Sequence, residues 1–140
     1  MRLRWRILPL LLLGFMAPAA QAQDTRDELV KRGEYLARAG DCIACHTAPE
    51  GHIFAGGLAM PTPFGTLYTS NITPDPATGI GKWNSDDFYK TMHSGRFPDG
   101  GLIYPAMPFA SYTKVTRADS DAIFAYPEIG PGGEPAEQAA

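Results

Sequence analysis

Both cysteines of the 140-residue chain and one of its three histidines fall within five consecutive positions, Cys42-Ile43-Ala44-Cys45-His46. Two thiols three residues apart lie on one turn of chain. They can therefore add to the two neighbouring vinyl groups of a haem, and the imidazole that follows then faces the iron. The spacing predicts one covalently bound haem c, held through Cys42 and Cys45, with His46 as proximal ligand. Rival uses of these residues fit less well. A structural zinc site takes four ligands, and one cysteine pair with His46 and His52 leaves the adjacent Cys45 and His46 poorly placed to reach one ion. A dithiol redox site of thioredoxin type wants a preceding strand and its first cysteine at a helix N-terminus, whereas Cys42 follows a helical stretch. A disulfide closing so tight a loop adds little stability.

An iron bound by His46 has a second axial position, for which the chain offers Met60, Met92, Met107, His52 and His93. His52 is six residues from His46 and would have to round the porphyrin edge on a nearly extended chain at ~3.5 Å per residue. Met92 lies on the inner face of a helical segment, where core packing is the default, and the adjacent His93 points elsewhere. Met60 and Met107 both stand in proline-bounded loops. Met107, in Tyr104-Pro105-Ala106-Met107-Pro108, is framed closely on both sides and follows His46 by 61 residues, enough chain to cover the distal face. Met107 is the first choice and Met60 the second. A thioether favours reduced iron, and with both axial positions filled no vacancy is left for oxygen or peroxide. Such a protein passes electrons. The alternative is a five-coordinate haem with Met107 merely structural, which binds a small gas or peroxide.

The elements that must hold these residues are short. Asp24 to Gly40 reads as a helix, with Asp24 or Thr25 able to cap and Leu29, Gly33, Leu36 and Ala37 recurring on one face. Gly33 in its middle costs up to ~1 kcal/mol relative to alanine, which implies a close backbone approach there. Residues 48–82 carry five prolines and no helical period, so they read as a loop wrapped around something large and apolar. Asn84 or Ser85 caps a second helix ending near Gly95, with Phe88 and Met92 inward and Trp83 able to staple onto Phe88. Thr116 starts a third helix that turns Ala122, Ile123 and Tyr126 to the core and is cut short by Pro127. Residues 127–140 lack periodicity and read as a disordered tail.

Arg2, Arg4 and Arg6, the apolar run Ile7–Met16 and the small residues Ala20 and Ala22 read as a secretory signal cleaved after Ala22. The run is about half the ~20 residues needed to span a bilayer. The expected division is therefore signal 1–22, one domain 23–126 and tail 127–140, with export to the periplasm, where cysteines meet an oxidising environment. Any membrane association is peripheral, through partners at the outer face of the inner membrane. Removing residues 1–22 takes away three arginines and no acid, so the net charge of −3 becomes −6. An acidic protein is a poor nucleic-acid binder, and a charge-steered partner should present a positive face.

GEYLARAGDCIACHTAP, SNITPD with the following GIGKW, and YPAMP resemble the first haem domain of the cytochrome c subunit of bacterial membrane-bound alcohol, aldehyde and gluconate dehydrogenases, over roughly Gly33 to Tyr126. In that family CxxCH supplies the attachment cysteines and proximal histidine, and the methionine of YPAMP is the distal ligand. These positions are Cys42, Cys45, His46 and Met107 here. The resemblance implies an all-α class I cytochrome c fold, with three or more short helices and long loops around one haem, whose first and last helices cross near Gly33. It implies an electron-transfer protein rather than an enzyme, receiving electrons from a periplasmic dehydrogenase subunit and passing them toward quinone or a terminal oxidase. Family subunits are several times longer and carry three CxxCH motifs, so the chain is either a monohaem carrier or a truncated copy or piece of a trihaem subunit. Trp83, Phe97, Phe109 and Tyr112 serve equally as pocket packing or as a docking face.

Overall fold

The computed structural model describes residues 19–126 and residue 129, with the side chains of residues 19–24 left aside. In chain order it contains α1 (Ala19–Ala39), α2 (Cys42–His46), β1 (Ala59–Thr62), β2 (Gly65–Tyr68), α3 (Ser85–Ser94), α4 (Phe109–Tyr112) and α5 (Arg117–Ala125). No helix among the described residues is long and apolar enough to cross a membrane.

The frame is the crossing of α1 and α5. A Cβ built on Gly33 would lie 1.9 Å from the Ala122 carbonyl oxygen, so only glycine lets the two backbones approach this far. Ala122 and Ala37 are fully buried. Arg32 closes the outer side of the crossing through an ion pair with Asp119. The crossing near Gly33 that the resemblance implied is present.

Helices α3 and α5 start where their caps predict. Asn84 accepts from the Asp87 N–H at 2.9 Å while the Asp87 carboxylate accepts from the Asn84 N–H, a capping box that selects Asn84 over Ser85. Thr116 accepts from the Asp119 N–H. Phe88 and Met92 of α3 are buried against Phe124 and Ile123 of α5, the two phenyl rings 5.4 Å apart. Trp83 takes Phe97 as its ring partner, edge on at 6.3 Å.

Three features differ from the sequence reading. Helix α1 starts at Ala19, ahead of Asp24 and inside the segment read as a signal; residues 1–18, the rest of that segment, lie outside the described residues. The long loop contains an antiparallel hairpin pairing Ala59 with Tyr68, Met60 with Leu67 and Thr62 with Gly65, so the helical fold carries a two-stranded ribbon. Its prolines hid the alternation, because proline is tolerated in an edge strand but gives no strand signal. Ile129, placed in the tail by its sequence context, is fully buried, with its N–H donated to the Tyr126 carbonyl at 2.9 Å. The other residues of 127–140 lie outside the described residues.

Candidate functional site

Helix α1 stops at a tight turn. The Gly40 N–H is donated to the Leu36 carbonyl, and Asp41 adopts a left-handed conformation at φ 57° that redirects the chain into α2. That one-turn helix carries Cys42, Cys45 and His46, all half-buried and all lining one cavity of about 620 Å³. The thiols are free in this structure. Burial pushes the Cys42 thiol up to about 11, so it is a neutral thiol near neutral pH and a poor candidate for thiolate redox chemistry.

His46 is fixed by its backbone surroundings. Its Nδ1 lies 2.8 Å from the Ser70 carbonyl oxygen. A carbonyl only accepts, so Nδ1 carries the hydrogen and Nε2 keeps its lone pair free for a metal. Burial lowers the imidazole pKa, opposed in part by the Ser70 bond, which favours the neutral form that ligation requires. The loop that delivers Ser70 is folded back by the Gly56 N–H, donated to the His46 carbonyl at 2.7 Å, and the Gly57 N–H, donated to the Thr69 carbonyl at 2.8 Å. Gly56 sits at φ 72°, and a Cβ there would lie 2.4 Å from the Ser70 carbonyl carbon. Ser70 itself contributes only its backbone carbonyl, which is why side-chain types did not reveal it.

Met107 reaches the same cavity from the YPAMP loop. The Met107 N–H is donated to the Tyr104 carbonyl at 3.1 Å and its own carbonyl accepts from the Phe109 N–H at 2.8 Å, so the residue is held from both sides. Five residues on, the Tyr112 hydroxyl is donated to the Gly40 carbonyl at 2.9 Å, tying α4 to the turn that precedes Cys42. Met60 and Met92 also line the cavity, Met60 from the hairpin and Met92 from α3, where it is buried in the core. His52 and His93 are not among the lining residues. The two ring nitrogens of His93 instead lie 2.9 Å from the Tyr89 and Val115 carbonyls. Of the pocket-or-docking aromatics, Trp83, Phe97 and Tyr112 line the cavity, and Phe109 does not. Ile129 closes the inner wall, a role its polar flanks gave no hint of.

The chain is 55% identical over 117 residues to the gluconate 2-dehydrogenase cytochrome c subunit of Pantoea cypripedii, a match covering 83% of this chain and 26% of that protein. It is 48% identical over 117 residues to the cytochrome c subunit of the quinone-dependent alcohol dehydrogenase of Gluconobacter oxydans, covering 81% and 24%. The chain is homologous to the cytochrome c subunits of bacterial dehydrogenases. The fructose dehydrogenase cytochrome subunit of Gluconobacter japonicus is 43% identical over 98 residues, covering 69% of the chain and 20% of the relative. No protein-family model matches. The chain spans about a quarter of the length of the first two relatives.

Similarity to cytochrome c subunits implies haem c, and the cavity suits it. Its volume falls within the ~300–1,000 Å³ usual for small-molecule sites. Ile72, Ile80, Trp83 and Phe88 give it an apolar lining, two thiols and an imidazole sit on one wall, and thioethers enter from others. Imidazole and thioether are the soft and borderline donors that iron takes in such proteins.

Proposed function

We propose that the chain is a periplasmic, monohaem, one-electron carrier, accepting electrons from a dehydrogenase subunit and delivering them to a quinone- or oxidase-linked acceptor. The observation that carries this reading is the convergence of Cys42, Cys45, His46 and Met107 on one apolar cavity, with His46 Nδ1 committed to the Ser70 carbonyl. Haem c, when bound, supplies the one-electron iron couple. Cys42 and Cys45 would hold it by thioether bonds, and His46 Nε2 and the Met107 sulfur would be the donors to its iron. The chain's further work is positional. The Ser70 carbonyl keeps the imidazole oriented and raises its donor strength. Ile80, Phe88 and Ile129 exclude water from the inner wall, which disfavours extra charge on the buried site.

The test is made on protein exported by cells that attach haem c. Denatured protein should be heavier than its polypeptide by one haem, and the absorption spectrum should respond sluggishly to cyanide or carbon monoxide. Met107→Ala should bind carbon monoxide at once. Prompt binding by the unaltered protein would instead establish the five-coordinate alternative, and a colourless product with free thiols would remove the reading altogether.

A further inference from the structure

The acidic composition points to a charge-steered partner, yet the walls around the cavity mouth carry almost no charge. Residues 51–74 contain no Asp, Glu, Lys or Arg, and neither do residues 100–113. These two stretches build the hairpin on one side of the cavity and the Met107 loop with α4 on the other. Asp41 is the one charged side chain among the lining residues described. The ion pairs lie on the helices instead: Arg32 with Asp119, Arg38 with Glu34, and Arg117 with Asp86 and Asp121.

The same two stretches expose apolar bulk. Of seven exposed large hydrophobic residues among those described, five fall within them: Ile53 and Phe64 outside the cavity lining, and Tyr68, Leu102 and Tyr104, which also line the cavity. Phe64, at the hairpin tip, is 91% exposed and does not line the cavity. An ordinary antiparallel pair turns apolar residues inward and polar ones outward. Here Met60 and Leu67 face the cavity, Tyr68 reaches it as well, and the outward side carries Ala59, Pro61 and Thr66, without a charge.

We propose that this charge-free hairpin and loop form the face on which the dehydrogenase partner docks, and that the partner's contacting face is itself apolar and uncharged. The proposal rests on the carrier reading above and names the kind of surface that reading requires. Charge complementarity selects the occupant: a charged partner face would lose hydration against this surface and, apart from Arg96 bridged to Leu102 at its edge, find no counter-charge to replace it. Pro61 and Pro63 beside the tip disfavour pairing with a further strand, so contact is made by side chains rather than by sheet extension. Electron exchange also needs close approach at the cavity mouth, where this face lies. The contact need be no larger than the ~1,200 Å² of a transient electron-transfer interface.

The test uses the haem-loaded full chain and, as probe, the catalytic subunit of the Pantoea cypripedii gluconate 2-dehydrogenase freed of its own cytochrome subunit, with gluconate as reductant. The second-order reduction rate should change less than about twofold between ~0.01 and ~1 M salt, a range over which the screening length shrinks about tenfold. Phe64→Glu should slow it about tenfold, the loss of a central apolar contact. Tyr35→Glu, on the exposed face of α1, should leave it unchanged. Reduction by ascorbate, the spectrum and the thermal midpoint should be the same in all three proteins. A steep fall of the rate with salt, an unaltered rate in Phe64→Glu, or loss of a dimer as that variant's effect would overturn the proposal. Failure of the probe to reduce a chain that ascorbate reduces would overturn the partner, and a chain without haem would overturn the carrier reading beneath it.

Discussion

At the residue scale the site is a set of side chains made specific by backbone groups. CxxCH and the proline frame of Met107 were legible because they are side-chain identities at fixed spacing. The Ser70 carbonyl that orients His46 was not, since any residue presents a carbonyl and only the fold decides where it points. Nor was the Tyr112 hydroxyl, whose partner Gly40 is 72 residues away. The half-buried Cys42 thiol gives a chemical handle on this scale. Its pKa is raised to about 11, so in protein prepared without haem its alkylation by iodoacetamide should be slow at neutral pH and quicken about tenfold per pH unit until the pH passes that value. Peptide mass mapping of the alkylated chain reads this directly. In the haem-loaded protein neither cysteine should react, and alkylation there would contradict thioether attachment.

At the element scale, helices with strong caps announced themselves and short or proline-rich pieces did not. The Asn84 and Thr116 caps placed the starts of α3 and α5 to within a residue, because a cap is a local contract between a side chain and nearby N–H groups. The hairpin was missed because Pro61 and Pro63 removed its alternating signal, and α4 because four residues cannot show a helical period. The Gly33 reading worked for the opposite reason: a costly glycine in mid-helix is informative when something must touch it. Gly33→Ala should therefore destabilise the fold by at least about 2–3 kcal/mol, since the added methyl meets the Ala122 carbonyl, which is backbone and cannot rotate away. Denaturant unfolding of the haem-loaded variant measures it. A loss below about 1 kcal/mol would mean that α1 and α5 can separate cheaply.

At the scale of the molecule, the core and the site share one lining. Phe88, Met92, Ile80, Ile123 and Ile129 belong both to the buried cluster and to the cavity wall. Sequence periodicity identified the helical members of that set, but Ile129 stands after Pro127 in a stretch with no repeat to place it. Ile129→Ala should cost about 2–4 kcal/mol, as for other fully buried aliphatics, and removal of residues 127–140 should cost at least as much. Thermal unfolding of both variants checks this. An unchanged midpoint in the truncated chain would show that the segment beyond Tyr126 contributes nothing to the fold.

The turn at Gly40 and Asp41, the His46–Ser70 contact and the hairpin are all complete by residue 70, whereas Met107, α4 and the α5 that clasps α1 come only at the far end. About a third of the lining is thus a local product of one continuous stretch, and another third arrives late from a distant one. The residues that would anchor a haem, Cys42, Cys45 and His46, therefore come from the early stretch, and the one that would lid it, Met107, from the late one.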